Sequence, residues 1–327
     1  MRIASYFGVL VDDLLCPKKE ELILGIDGGG TKTSFAVTTL DGHILSSFSL
    51  SGCNPNDMGV SETVNIISRG IIEALNSHHY IRAIFCGIAG VASGGQIPYI
   101  TEELKRRFPH ILISVNSDYA NIFAMDEASS IAIISGTGSV VCVKTEGGYS
   151  LLGGYGYLLD KAGSGYDIGR EAIYTALEDE VLGNSSLISE LFKKELNISN
   201  VKSAIGPIYK GGKPYIASFA GIVFKAYEMK DPRAIEIIEE TARRLAELLN
   251  IAVKRYGVSP RAVAGGGLFE HYGEILIGEM SKYTDAKIIV PSHSPIFGAC
   301  VAARRLYDGN LPSEFWQSLE ASYTDKK

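Results

Sequence analysis

From Leu22 onward the chain reads as short apolar runs broken by small residues. ELILGI stops at a glycine-rich segment, SFAVTTL returns from it, Asp41-Gly42 supplies a tight turn, and HILSSFSLS sets out again. That succession predicts three strands joined by two hairpins. The period then changes: in SETVNIISRGIIEALNS apolar residues recur at three and four, as on a helix with one buried face. The strand IRAIFCGIAG, a helix around YITEELKRRF, the strand ILISVNSD and a helix beginning near Tyr119 follow. Then the opening pattern returns. SIAIISGTGSVVCVKTEGGYSLLGG is again a run, a Gly/Thr turn, a run, a glycine-containing hairpin and a third run. The internal spacing of Gly28 to Gly42 resembles that of Gly136 to Gly147, which predicts a diverged duplication with each copy opening on a β meander. Helices dominate 165–257, and RAVAGGG, a helix, AKIIV and a last helix from Pro295 close the pattern. Ser294 is expected to cap that last helix, and Pro295 suits its first turn. Alternation of this kind predicts an α/β fold with mixed sheets covered by helices.

Composition narrows the function. A chain of 327 residues with 46% hydrophobic content has material for two domains with large cores. No apolar run reaches the ~18 residues that would cross a membrane. A formal net charge of -6 argues against nucleic acid as the main partner. The five cysteines (Cys16, Cys53, Cys86, Cys142, Cys300) are scattered and never form a CxxC pair. They fit free thiols and a cytoplasmic location better than a disulfide framework or a zinc site. In the N-terminal extension 1–21, Asp12 and Asp13 interrupt an apolar patch and no small-residue cleavage site follows, which argues against a secretory signal. A strand, a helix and a misassigned start remain open for it.

The chemistry concentrates at glycines. GGGTKT places Asp27 at a strand end and follows it with Gly28, Gly29, Gly30, Thr31 and Lys32. Free backbone N–H groups in such a turn form an anion-binding concavity, and glycine lets a phosphate approach without a Cβ in the way. The Walker A spacing is missed by one residue, Thr31 standing where lysine is required, and the Rossmann spacing is absent. A single glycine-rich turn is weak testimony. Here a second turn, Gly136, Thr137, Gly138, repeats the first, and a third run, Gly265, Gly266, Gly267, ends a strand at a helix start.

Taken together, DGGGTKT, NSDYAN, ISGTGS and AVAGGG resemble the actin-like ATPase superfamily of sugar kinases, Hsp70 and actin. More closely they resemble the N-acetylglucosamine kinase and BadF/BadG/BcrA/BcrD ATPase group, over about Leu22 to Tyr307. The resemblance implies a duplicated, ribonuclease H-like fold of two domains with a nucleotide cleft between them: domain I from 22–130 plus 295–327, and domain II from 131–294. It further implies ATP and Mg²⁺ as cofactors, with Asp27 holding the metal mostly through water. Gly29, Gly30, Thr31, Gly136, Thr137 and Gly138 would face phosphates, and Gly265, Gly266 and Gly267 would lie by the adenosine; Lys32 could reach phosphate, although a solvated turn lysine is the commoner reading. The small face of Gly298, Ala299, Ala302 and Ala303 would pack back onto domain I. A homodimer is expected on the same ground.

On the acceptor side, phosphoryl transfer needs a base near the attacking hydroxyl. Asp118 sits where a strand gives way to a helix, so helix capping and catalysis are both open to it; the resemblance makes it the base. Asn54 matches a sugar-contacting asparagine of the family but also suits an Asn-Pro turn, and Thr137 is a second candidate for facing the acceptor. His271 reads as a surface helix residue. One segment departs from the family pattern: in GGYGYLLDKAGSGYDIGREA, Lys161-Ala162 replace Asp-Glu and Tyr155 replaces Trp. An ammonium donates hydrogen bonds where a carboxylate accepts them, so Lys161 suits an acceptor bearing a carboxylate unless it turns to solvent or pairs with Asp160. The expected activity is therefore an ATP-dependent carbohydrate kinase for a sugar acid of the 2-keto-3-deoxygluconate type. N-acetylglucosamine is the alternative acceptor. An ATPase activator of a 2-hydroxyacyl-CoA dehydratase-like system is the alternative of another class, although no cysteine precedes the Ile134-to-Gly138 turn as it does there.

Overall fold

The computed structural model describes residues 20–92, 95–161 and 163–324. The N-terminal extension expected at 1–21 lies outside them except for Glu20 and Glu21, as do Cys16 and Ala162. Two compact units emerge: unit 1 comprises Met1–Met125 with His293–Lys327, and unit 2 comprises Asp126–Ser292. No described helix is long and apolar enough to cross a membrane.

Unit 1 is built on β1 (Leu22–Gly28), β2 (Lys32–Thr39), β3 (Ile44–Ser51), β4 (Ile81–Ile88) and β5 (Leu112–Ser117), ordered β3-β2-β1-β4-β5. The first three form an antiparallel meander, and β4 and β5 add in parallel. Side chains alternate across a strand, and β1 exploits both faces. Leu22, Leu24 and Ile26 join a core roofed by the helices Val60–Ser77 and Gln96–Arg107. Ile23 points into a second core beneath the helices Tyr119–Met125, Pro295–Asp308 and Ser313–Thr324. Gly25 lies between these layers, and a Cβ there would stand 2.6 Å from the Cys300 backbone nitrogen. Of the small face read around Gly298 and Ala299, Ala299 meets β1 at this point, and Gly298 lies against Asn121 of the helix Tyr119–Met125.

Unit 2 repeats the plan with β6 (Ile131–Ser135), β7 (Ser139–Thr145), β8 (Gly148–Gly153), β9 (Arg261–Gly265) and β10 (Lys287–Ile289), ordered β10-β9-β6-β7-β8. Reading β6 as the counterpart of β1, the two sheets have one strand order and one pattern of parallel and antiparallel neighbours. This is the duplication that the repeated Gly/Thr turns foretold. Six described helical segments between Gly165 and Tyr256 fill the interval between β8 and β9, and their apolar faces make a single large core with the sheet. The longest, Pro232–Tyr256, starts at an Asp231 cap that accepts from the Ala234 N–H at 2.9 Å, and it stops at Gly257.

Candidate active site

In unit 1 three strand ends are sewn together by backbone hydrogen bonds. The Ala89 N–H donates to the Gly28 carbonyl at 2.7 Å, and the Asp118 N–H donates to the Ile88 carbonyl at 3.2 Å. The turn after β1 closes with the Gly29 N–H on the Lys32 carbonyl (2.9 Å), while the Cys53 N–H donates to the Gly29 carbonyl (3.0 Å). Asp27, the Gly29–Thr31 turn, Asn54 and Asp118 therefore share the carboxyl-end edge of one sheet, where α/β folds hold their ligands.

Each carboxylate is shaped by its neighbours. Asp27 is half-buried, and its Oδ1 accepts from Asn121 Nδ2 at 2.7 Å. Asp118 Oδ1 accepts from Ser117 Oγ at 3.0 Å and from the Tyr119 N–H at 3.1 Å, where the helix Tyr119–Met125 begins. Burial holds the Asp118 carboxyl above the ordinary carboxylate range, against the opposing pull of those two hydrogen bonds. Asn54 Oδ1 accepts from the Asn56 N–H at 3.0 Å and caps the short helix Pro55–Met58, as an Asn-Pro turn suggests. Lys32 is exposed and lines a cavity of about 300 Å³ with Ser34, Ser294 and Tyr323. The cap expected of Ser294 is corrected: it occupies the N-cap position, but no cap bond forms and its hydroxyl hydrogen-bonds Tyr323 Oη instead. Cys53 is buried under Gly28, and burial pushes its thiol up to about 11, so it stays protonated at neutral pH.

In unit 2 the second turn closes with the Gly136 N–H on the Gly138 carbonyl at 2.8 Å, leaving Thr137 and Gly138 exposed. The Gly165 N–H donates to the Gly136 carbonyl (2.7 Å), and Ser135 Oγ donates to the Gly163 carbonyl (2.7 Å). Gly266 adopts φ 91, and a Cβ on it would lie 2.6 Å from the Ser135 carbonyl oxygen. A left-handed backbone and this close approach both require glycine there. The structure thus gathers Gly136, Thr137, Gly138, Gly265, Gly266 and Gly267 at the ends of adjacent strands β6 and β9. His271 is exposed on the following helix.

Lys161 is exposed, its carbonyl lies 3.4 Å from Arg244 Nη1, and it lines a cavity of about 420 Å³ with Asp167, Arg170 and Arg233. Pairing with Asp160 is not observed, since Asp160 Oδ2 folds back to accept the Tyr155 N–H at 3.2 Å. The sequence reading passed over Lys213. Its ammonium lies 3.4 Å from where a Cβ on Gly138 would be and 5.7 Å from the Tyr157 ring centroid. The available signal was Gly211-Gly212-Lys213-Pro214, a break inside a helical stretch; Gly212 departs from helical geometry there and re-aims the chain.

Among the described residues no cluster of three or more His, Cys, Asp or Glu is arranged to hold a metal. A magnesium ion carried by a nucleotide needs none, because it retains several waters and takes one or two carboxylates besides phosphate oxygens. Asp27, whose Oδ1 accepts from Asn121 Nδ2 beside the glycine-rich turn, fits that requirement.

The family model for the BadF/BadG/BcrA/BcrD ATPase family matches residues 24–303. The chain belongs to that family. Within reach of this BadF/BadG/BcrA/BcrD member are two curated sugar kinases. The N-acetylmuramic acid/N-acetylglucosamine kinase of Clostridium acetobutylicum is 29% identical over 86% of this chain and 98% of its own. The N-acetyl-D-glucosamine kinase of Dictyostelium discoideum is 27% identical over 87% and 98%. Among solved structures, a candidate N-acetylglucosamine kinase from Chromobacterium violaceum superposes with TM-score 0.69 at 17% identity, covering 86% of this chain and 99% of that one. This last likeness shows a shared fold.

Proposed function

We propose that this family member is an ATP- and Mg²⁺-dependent kinase whose acceptor is an N-acetylated amino sugar of the glucosamine type. The observation that carries the reading is the shared edge of β1, β4 and β5, which holds Asp27, Asp118 and the glycine-rich turn Gly29–Thr31. Full-length similarity to two sugar kinases that name N-acetylglucosamine supports the acceptor class, and it favours that alternative over the 2-keto-3-deoxygluconate type. A carboxylated acceptor retains one foothold. N-acetylmuramic acid, named for the Clostridium acetobutylicum relative, carries a carboxylate on its lactyl ether, and Lys161 offers an ammonium of matching charge.

Asp118 accepts the proton of the attacking hydroxyl, and its raised basicity in a buried setting suits that task. The turn amides at Gly29–Thr31 and Gly136–Gly138 bind phosphate oxygens, and Lys213 adds a positive charge beside the second turn. When bound, Mg²⁺ neutralises charge on the transferred group. A panel of N-acetylglucosamine, N-acetylmuramic acid, glucose and 2-keto-3-deoxygluconate, scored by ADP release, tests the reading. The amino sugars are expected to exceed the other acceptors by roughly tenfold or more in kcat/KM. A sugar acid outrunning both amino sugars overturns the acceptor class, and ADP release indifferent to every acceptor overturns the kinase reading.

A further inference from the structure

Asn121 is fully buried, with 0% exposure, one turn beyond Asp118 in the helix Tyr119–Met125. Its backbone N–H donates to the Asp118 carbonyl at 3.0 Å, and its Nδ2 donates to Asp27 Oδ1 at 2.7 Å across 94 residues of sequence. An ionised carboxylate accepts hydrogen bonds and donates none, so the amide must turn its NH₂ toward Asp27. Its Oδ1 then faces the interior, buried and without a hydrogen-bond partner among the described residues. Leaving a buried carbonyl unmatched costs folding free energy. The surroundings have been cleared for this side chain. A Cβ on Gly87 would stand 2.2 Å from Asn121 Oδ1, and one on Gly298 would stand 1.8 Å from the Asn121 backbone oxygen. Alanine at 121 would avoid the unmatched carbonyl, so packing alone gives no account of an asparagine here.

We propose that Asn121 is a positioning residue: it locks the Asp27 carboxylate in one orientation toward the nucleotide-bound metal and couples that orientation to the helix that begins at Asp118. The inference rests on the reading of Asp27 as the metal-facing carboxylate. Partners behind a metal-facing carboxylate set its direction, and losing one typically lowers metal affinity roughly 10–100-fold.

The test uses the full chain with ADP and Mn²⁺, the metal being followed by its electron paramagnetic resonance signal without turnover. Asn121→Ala removes the donor. Asn121→Thr keeps about the same side-chain volume, but its hydroxyl is too close to the backbone to span the contact. For either folded variant the dissociation constant of Mn²⁺ from the enzyme–ADP complex is expected to rise roughly tenfold or more, while ADP affinity in excess chelator changes less than about twofold. A purely structural asparagine would lower Tm in these variants and leave the Mn²⁺ affinity of the folded protein alone. Unchanged Mn²⁺ affinity in a folded variant, alongside a clear loss in Asp27→Asn, overturns the positioning role by itself. Unchanged affinity in Asp27→Asn as well overturns the underlying assignment of Asp27, and the positioning role falls with it.

Discussion

Asp118, proposed as the base, is a side chain whose burial costs the fold. Its carboxyl is held above the ordinary range by burial, so at neutral pH the ionised form costs folding free energy. Below the unfolded-state value of about 3.9 the carboxyl is protonated in both states and the cost vanishes; it grows as pH rises through the folded-state value. Asp118→Asn is therefore expected to raise Tm at neutral pH, with the gain shrinking in acid. The same change should lower kcat by roughly 100-fold or more while ATP binding survives. Turnover close to wild type would refute the base assignment, and a lower Tm at neutral pH would refute the burial cost. Lys213→Met tests the second turn: losing a charge-assisted contact of about 1.5–3 kcal/mol should raise KM for ATP roughly tenfold or more and spare KM for the sugar. Asp118 and the glycine turns could be read in the sequence because their signals are local, a strand end, a turn and a helix start within a few residues. Lys213 and Asn121 could not. One depends on a backbone break at Gly212, and the other on a contact between segments 94 residues apart.

Elements were legible wherever a period or a turn residue marked them. The meander β1-β2-β3 and its counterpart β6-β7-β8 follow from alternating runs punctuated by glycine, and the helix Val60–Ser77 follows from its three-and-four spacing. Partner choice between elements was less visible. Ser294 carries the signature of a cap, yet tertiary packing offers its hydroxyl Tyr323, and that contact wins. The helix Pro295–Asp308 illustrates the other limit: its small face was readable, but not that it meets Gly25 of β1 at Ala299 and Asn121 at Gly298. Adding even a methyl group in so close a contact typically costs about 1–3 kcal/mol. Gly25→Ala and Gly298→Ala are each expected to lower Tm, measured by calorimetry on the full chain, whereas Gly278→Ala, with open space around it, should leave Tm unchanged or higher. Equal Tm across the three would mean that the helix is not seated as described.

For the molecule as a whole, the repeated strand order means that each unit carries its own sheet and its own apolar core. Unit 2 is also continuous in sequence, Asp126–Ser292, whereas unit 1 draws on both ends of the chain. Residues 126–292 expressed alone should therefore unfold cooperatively on heating. A featureless thermal trace from that fragment would show that its core depends on the remainder. The discontinuity of unit 1 has a consequence for biosynthesis. Its first sheet emerges early from the ribosome, but one face of that sheet, covered at first only by the helix Tyr119–Met125, lacks its remaining cover until translation has passed about residue 308. Nascent Ile23, Ala83 and Phe85 therefore keep apolar surface without their partners Phe297, Ala299 and Val301 until the second stretch of unit 1 is made, an exposure of the kind that chaperones shield.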